Sequence, residues 1–143
     1  MGRIGYLSKV VRFDMRMWEV TQEVQLAVAH RVLRTDARGT SERLHGHNWR
    51  LVAVARAHSL DDSGLVVDVE TLGEVLREVT APFDHALLND VPPFDKIAST
   101  AERFAHAVAE RVAERIDDDR VKVSRLEVWE GYIRKATYFR DVP

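Results

Sequence analysis

The stretch from Trp18 to His30 alternates in polarity, and this alternation restricts the fold more than any other feature of the chain. Its apolar parity carries Val20, Val24, Leu26, Val28 and His30. Successive side chains of a β-strand point to opposite faces of a sheet, so the pattern predicts a strand with one buried face. The same parity places His30 on that buried face.

A second alternating stretch runs from His47 to Ala57, with His47, Trp49 and Leu51 on one parity and Asn48 and Arg50 on the other. Its two faces differ, as expected for a half-buried antiparallel strand. The turn-rich residues between the two strands, Arg34 to Arg43, predict a loop.

Helical periodicity then appears twice. Asp68 is a candidate N-cap for a helix from Val69 to Val79. Ser99-Thr100-Ala101-Glu102 has the S-x-x-E form of a capping box, and apolar residues at helical spacing follow it to Ile116. We expect Asp117-Asp118-Asp119 to end this second helix in a solvated turn that favours fraying, because acids oppose the dipole at a helix C-terminus.

Two further strands are predicted, Lys122 to Trp129 and Tyr132 to Arg140, so the element order is ββααββ. At 143 residues the chain suits one domain, which we place at residues 18–143 behind an N-terminal extension of residues 1–17. The predicted class is α+β.

Composition excludes several kinds of protein. The chain has no cysteine, which removes disulfides, thiolate metal ligands and cysteine nucleophiles. A net charge of −2 argues against nucleic acid as the main partner. No apolar run approaches the roughly 20 residues of a membrane span. We therefore expect a cytoplasmic protein with neither a nucleic-acid nor a membrane partner.

Leu44-His45-Gly46-His47 carries the clearest chemical signal. On a strand, the two imidazoles lie on one face about 7 Å apart at the backbone, close enough to share a metal ion. If the two strands are neighbours, His30 can supply a third ligand, and three imidazoles with an open fourth position suit catalytic zinc. The alternative is that His30 is a core histidine satisfied by a backbone carbonyl.

Two other sites remain open from the residues alone. Asp84-His85 is either a proton-relay pair or an Asx-type turn followed by an exposed histidine. Glu130 is either a solvated acid at a strand end or an inward carboxylate, which is costly unless it is paired.

Taken together, these motifs resemble the 6-pyruvoyltetrahydropterin synthase and 6-carboxytetrahydropterin synthase family over about residues 18 to 140. The matching residues are Ala29-His30-Arg31, His45-Gly46-His47-Asn48, Phe83-Asp84-His85, Ser99-Thr100-Ala101-Glu102 and Glu130. The resemblance implies the tunnelling fold, a four-stranded antiparallel sheet with two helices on one face. It also implies a homo-oligomer, either a trimer or a dimer of trimers, with sites between subunits.

The resemblance further implies roles for individual residues. His30, His45 and His47 would hold Zn²⁺, Asp84 and His85 would form the relay, and Glu130 would accept hydrogen bonds from a pterin. Thr100 and Glu102 would also contact this substrate, 7,8-dihydroneopterin triphosphate or a related pterin. Zinc would lower the pKa of the substrate's side-chain hydroxyls while a base removes a carbon-bound proton.

The chain departs from the family at the catalytic cysteine, whose position is occupied by Ser41. A serine hydroxyl is a far weaker acid than a thiol. The next residue, Glu42, resembles the glutamate base of a cysteine-free branch that cleaves the side chain to 6-hydroxymethyl-7,8-dihydropterin. The alternative is that Glu42 is a solvated loop acid.

Three hypotheses therefore remain. The first is a zinc-dependent lyase that uses Glu42 as its base. The second is a 6-carboxytetrahydropterin synthase-type enzyme of deazapurine biosynthesis. The third is a non-catalytic zinc- and pterin-binding homologue that lost the thiol.

Overall fold

The computed structural model describes residues 16–33 and 42–143. Most of the predicted N-terminal extension, most of the predicted loop from Arg34 to Arg43, and Ser41 lie outside the described residues. The predicted loop residues Glu42 and Arg43 are described and belong to neither a helix nor a strand.

The described elements follow the predicted order with one addition. The strands are β1 (Trp18–His30), β2 (His45–Ala57), β3 (Ala86–Leu87), β4 (Lys122–Glu130) and β5 (Arg134–Phe139), and the helices are α1 (Val69–Thr80) and α2 (Ala101–Ile116). Short 3₁₀ turns occupy Ala81–Phe83 and Leu88–Asp90. The predicted α+β class is confirmed.

The sheet has five strands in the order β3-β1-β2-β4-β5, so the predicted count of four is one too low. The four long strands pair antiparallel, whereas β3 lies parallel to β1 through Val28 and Ala29. Two residues are too few for period-two alternation, which is why the sequence pattern did not reveal β3.

Both helices pack against the sheet, α1 on β1 and α2 on β4 and β5. The core lies between the helices and the predicted inward parity of the strands. Its largest fully buried side chains include Trp49, Leu51, Phe83, Phe104 and Leu126. α2 contributes its apolar stripe from Phe104 to Ile116 to the same core.

The pairing of β1 with β2 places the histidines. In this register Val28 lies opposite His47, and His30 lies opposite His45. A shift of one residue would turn the inward parity of β2 to the other face. The buried alternation of both strands therefore sets the register that brings the three histidines together.

The start of α2 differs from the capping-box prediction by one residue. The N-cap is Thr100, whose side chain accepts a hydrogen bond from the Arg103 N–H, and not Ser99. Ser99 is fully buried and donates its hydroxyl to the Arg31 carbonyl instead. A hydroxyl committed to that tertiary contact is no longer available to cap the helix.

The turn after α2 also differs from expectation. Asp118 accepts hydrogen bonds from the N–H groups of Arg120 and Val121, and Asp117 accepts one from Val123. Asp118 and Asp119 are exposed, so the predicted solvated turn is confirmed, but the hydrogen bonds order the turn and the prediction of fraying was wrong. Among the described residues, no helix is long and apolar enough to cross a membrane.

Candidate metal centre

His30, His45 and His47 converge at one end of the sheet. Each offers a ring nitrogen, and these three atoms lie within 4.8 Å of one another. The ring centroids of His45 are 4.7 Å from those of both His30 and His47. Three imidazoles so close together match the donor set of a catalytic zinc site, so the cluster could hold a metal ion.

Backbone carbonyls orient two of the rings. His30 Nδ1 lies 2.5 Å from the Ser99 carbonyl oxygen, and His45 Nδ1 lies 2.7 Å from the Arg43 carbonyl oxygen. A carbonyl only accepts, so each Nδ1 carries the hydrogen and each Nε2 is left as a free acceptor. This is the arrangement in which metal-binding histidines are held by their second nitrogen.

The Nε2 atom of His30 tests whether a metal fits. His30 is 3% exposed, and its Nε2 has no hydrogen-bond partner among the described residues. An unsatisfied buried polar atom costs about 1–3 kcal/mol. A metal ion bound to Nε2 would remove this cost, so the donor set fits a metal.

His47 is held in the neutral form that a metal ligand requires. Burial lowers the pKa of His47 below its ordinary value. The neighbouring His45 and His30 lower it further, while Glu130 and Glu42 act in the opposite direction. The net shift favours an uncharged imidazole at neutral pH.

The histidines line a cavity of about 590 Å³. Its walls include three carboxylates, those of Glu42, Glu102 and Glu130. Glu130 is half-buried at the end of β4, where it lies opposite Trp49 of β2 and Arg134 of β5. Donor groups of a ligand in this cavity can therefore meet a carboxylate within reach of the histidine cluster.

The predicted residues Thr100 and Glu102 also line the cavity, because α2 begins beside the histidines. Another wall of the cavity, beside the start of β5, was not predicted from the sequence; it consists of Ile133, Arg134, Lys135 and Ala136. A signal was present, since a hairpin that returns after Gly131 must bring the start of β5 back to Glu130.

Asp84 and His85 lie elsewhere. Asp84 Oδ1 and His85 Nδ1 lie 3.1 Å apart, as a relay pair requires, but the His85 side chain is 81% exposed. His85 lines a separate cavity of about 470 Å³, which it shares with His47 but not with Glu42 or Glu130. Within one chain, the structure does not bring the pair into the cavity of the histidines.

The backbone of His85 is unusual. Its φ of 54° is the only positive value at a non-glycine residue in the described part of the chain. The His85 N–H donates to the Ala27 carbonyl at 2.7 Å, and Asp84 Oδ1 accepts the Ala27 N–H at 2.9 Å. The hydrogen bond that Asp84 accepts from the Ala27 N–H lowers the pKa of Asp84, and the nearby His85 lowers it further. β1 thus holds the pair in a fixed, outward position.

Comparisons with known proteins identify the chain's relatives. The model of the 6-pyruvoyl tetrahydropterin synthase family matches residues 19–141. The chain belongs to this family. The family is thus the one that the sequence motifs resembled, and this member has no cysteine.

Two curated relatives are described as 6-carboxy-5,6,7,8-tetrahydropterin synthases, one of them putatively. The chain is 31% identical over 102 residues to the 6-carboxy-5,6,7,8-tetrahydropterin synthase of Bacillus subtilis. This match covers 71% of this chain and 64% of that protein. It is 34% identical over 83 residues to a putative 6-carboxy-5,6,7,8-tetrahydropterin synthase of Archaeoglobus fulgidus, which covers 52% of this chain and 71% of the relative. The match thus spans slightly less than two thirds of the Bacillus protein.

Solved structures agree on the fold. The 6-pyruvoyl tetrahydropterin synthase of Caenorhabditis elegans superposes with a TM-score of 0.75 at 22% identity, covering 91% of this chain and all of that one. A catalytic-residue mutant of the Plasmodium vivax enzyme, with a glutamate replaced by alanine, has a TM-score of 0.70 at 20% identity, covering 89% and 99%. The predicted tunnelling fold is confirmed.

Proposed function

We propose that this protein is a zinc-dependent pterin lyase or synthase that acts on 7,8-dihydroneopterin triphosphate or a related pterin. One observation carries the proposal: a buried, unpartnered histidine nitrogen lies within a three-histidine cluster at a cavity that also contains Glu130 and Glu42. The family supports a pterin as the substrate class, because its relatives are named for tetrahydropterin synthesis.

His30, His45 and His47 would hold the zinc ion. Three neutral imidazoles leave a fourth position open for a ligand. Bound zinc would supply Lewis acidity, which lowers the pKa of substrate oxygen atoms. The chain's own contribution is to keep His47 neutral by burial and to orient His30 and His45 through carbonyl groups.

Glu130 is the proposed pterin anchor. The amino group and ring N–H of a pterin form a pair of donors, and the two oxygens of a carboxylate can accept both. The Glu130 side chain makes no hydrogen bond or ion pair within the described residues, so its two oxygens are available. Thr100 and Glu102, on the adjoining wall, are proposed to complete the contact with the substrate.

Glu42 is the proposed base. It is the exposed carboxylate on the loop side of the cavity, three residues before His45. The Plasmodium vivax relative, which has a glutamate among its catalytic residues, shows that this residue type serves the family's chemistry in at least that protein. In this reaction Glu42 would take the proton of the hydroxyl on the second side-chain carbon while the bond between the first and second side-chain carbons breaks. Protonation of the first carbon then leaves 6-hydroxymethyl-7,8-dihydropterin, and the rest of the side chain departs as a phosphorylated aldehyde, so no thiol is needed.

A second product is favoured by the relatives. Both curated proteins at 31% identity or more are described as 6-carboxytetrahydropterin synthases, one of them putatively. In that case the side chain ends as a carboxylate, and a residue other than cysteine removes the proton. Product mass distinguishes the two reactions.

We also propose that the active form is a homo-oligomer, a trimer or a dimer of trimers. Asp84 and His85 are exposed and do not line the cavity of their own chain. Ile133, in the turn just before β5, and Phe139, at the end of β5, are 89% and 69% exposed. A neighbouring copy would cover this apolar surface and bring an Asp84-His85 pair to the cavity.

The proposal is tested by incubating the zinc-loaded protein with dihydroneopterin triphosphate and identifying products by mass spectrometry. We expect a shortened pterin from the wild type, and at least a 100-fold lower rate from Glu42→Gln, since general base catalysis contributes about 10²–10⁴-fold. Glu74→Gln, an exposed glutamate on α1, is the matched control and should retain the wild-type rate.

The other outcomes separate the hypotheses. Turnover that survives Glu42→Gln rejects Glu42 as the base. A carboxylated product supports the synthase. Saturable pterin binding without any product indicates the non-catalytic homologue, and an affinity unchanged by Glu130→Gln rejects Glu130 as the anchor.

A further inference from the structure

Residues 84–99, here called the edge segment, run along the side of β1 that is not paired with β2. They bind the backbone of β1 at successive positions. Asp84 and His85 hold both backbone groups of Ala27. β3, inside the edge segment, then pairs with Val28 and Ala29. The attachment continues beyond the end of β1 to Arg31, the residue that follows His30.

At Arg31 the attachment is made by side chains. Asn89 Oδ1 accepts the Arg31 N–H at 2.9 Å, and Asn89 Nδ2 donates to the Arg31 carbonyl at 3.0 Å. The Ser99 hydroxyl donates to the same carbonyl at 3.2 Å. We call Asn89 and Ser99 the Arg31 clasp.

The Arg31 clasp closes a ring of hydrogen bonds around His30. The Ser99 backbone carbonyl accepts from His30 Nδ1, while the Ser99 side chain is fixed to Arg31. Arg31 in turn is fixed by the primary amide of Asn89. Both acceptor sites of the Arg31 carbonyl are therefore used, and neither Ser99 nor the backbone after His30 is free to turn.

This ring determines where His30 Nε2 points. An imidazole with a fixed Nδ1 contact and a fixed backbone has little rotational freedom left, so its Nε2 keeps one direction. That atom is the buried, unpartnered nitrogen of the metal centre. Without the clasp, the ring would have to be ordered when the metal binds.

We propose that Asn89 and the Ser99 hydroxyl are positioning residues that preorganise His30 for metal binding. The inference rests on the metal centre of the proposed function, and it adds two residues that contact neither metal nor substrate. It also makes the edge segment a single element that carries Asp84 and His85 at one end and orients a metal ligand at the other.

The test measures zinc affinity by competition with a chromophoric chelator, together with the melting temperature of the metal-free protein. Asn89→Leu removes both amide contacts at similar volume, and we expect about tenfold weaker zinc binding, the lower end of the effect of outer-sphere partners. Asn89→Asp keeps the acceptor for the Arg31 N–H and should lose less. Ser99→Ala removes one hydroxyl contact and should weaken zinc binding several-fold.

Asp95→Leu is the matched control. Asp95 is an exposed residue of the same edge segment, and its side chain makes no hydrogen bond or ion pair among the residues that the structure describes. It should bind zinc as the wild type does. Cobalt substituted for zinc adds a spectroscopic readout, since a misplaced His30 changes the visible absorption of the metal.

Affinity and stability separate positioning from simple structural support. A purely structural clasp would lower the melting temperature of the metal-free variants but leave the zinc affinity of the folded protein unchanged, and that result would overturn the inference. If Asn89→Leu does not fold, Asn89→Asp and Ser99→Ala decide the question on the same terms. A wild-type protein that binds no zinc would reject the metal centre itself, and with it this role for the clasp.

Discussion

The regions at the two ends of α2 differ in whether their polar side chains find partners within the chain. At its C-terminal end, Arg140 contacts Glu110 at 3.3 Å and Asp117 at 2.8 Å, and it donates to the Val123 carbonyl. At its N-terminal end lie the three histidines, with carboxylates that make no ion pair in the described parts of the chain. One region is saturated with internal hydrogen bonds, and the other is left open.

This difference separates stability from function. Nearly all buried polar groups of native proteins find partners, so a region that leaves them unsatisfied calls for an explanation. In the described residues, three buried side-chain nitrogens lack a partner, and two of them, His30 Nε2 and Trp49 Nε1, lie at the histidine end. A bound metal ion would account for His30 Nε2, whereas the polar groups of the Arg140 cluster already have partners within the chain.

The largest expected effect follows from removing His30, one of the three histidines at the N-terminal end of α2. Loss of an outer-sphere partner weakens metal binding by about 10- to 100-fold, and His30→Ala should weaken zinc binding by more than that. The metal-free protein should remain folded. Equilibrium dialysis and thermal unfolding measure both quantities, with His106→Ala as a control, because His106 packs on Tyr138 and away from the cavity. Wild-type zinc affinity in His30→Ala would remove the contrast between the two ends.

A substitution at the C-terminal end of α2 should instead lower the stability of the protein. Arg140→Ala leaves Glu110 and Asp117 without their shared partner, and we expect the free energy of unfolding to fall by about 2 kcal/mol, the range of hydrogen bonds to charged groups. Zinc affinity should not change. Arg115→Ala is the control, since its ion pair with Glu78 is largely exposed and worth under about 1 kcal/mol. Equal losses from both substitutions in urea unfolding would contradict the comparison.

The smallest effect concerns pH and the exposed relay pair. The pKa of Asp84 is lowered in the folded protein because its carboxylate accepts the Ala27 N–H. A lowered native pKa means that the charged form is stabilised by folding, so this contribution is present above the unfolded pKa and lost as the pH falls through the native value. Asp84→Asn should therefore be less stable than the wild type at pH 7, with the difference shrinking in acid. Asp95→Asn serves as the control, and a difference that grows in acid would reverse the assigned sign.

Much of the fold could be predicted because it depends on local patterns. Alternation in β1 and β2 placed His30, His47 and Trp49 on one buried face, and the helical stripes located α1 and α2 to within a residue or two. β3 escaped because its two residues pair through backbone groups alone. The cap of α2 was misplaced because Ser99 and Thr100 are both competent caps, and only the contact of Ser99 with Arg31 separates them.

The candidate site divides in the same way. The residue types of the metal centre could be named from the sequence, since imidazoles on one parity of two strands suffice for that prediction. Asn89 and the Ser99 hydroxyl could not be named, because their roles arise from contacts with Arg31. This residue lies 58 residues from Asn89 and 68 residues from Ser99 along the chain. Asp84 and His85 were predicted as a relay pair from their residue types, but the exposure of both side chains is visible only in the structure.

The sequence by itself determined which faces of the strands are buried, which residues can bind a metal, and that no thiol takes part. These properties follow from side-chain chemistry and a period of two or 3.6 residues. Tertiary structure decided the register that joins His30 to His45, the cavity wall formed by residues 133–136, and the carbonyls that orient the imidazoles. Such contacts join residues far apart in the chain, and no local pattern encodes them.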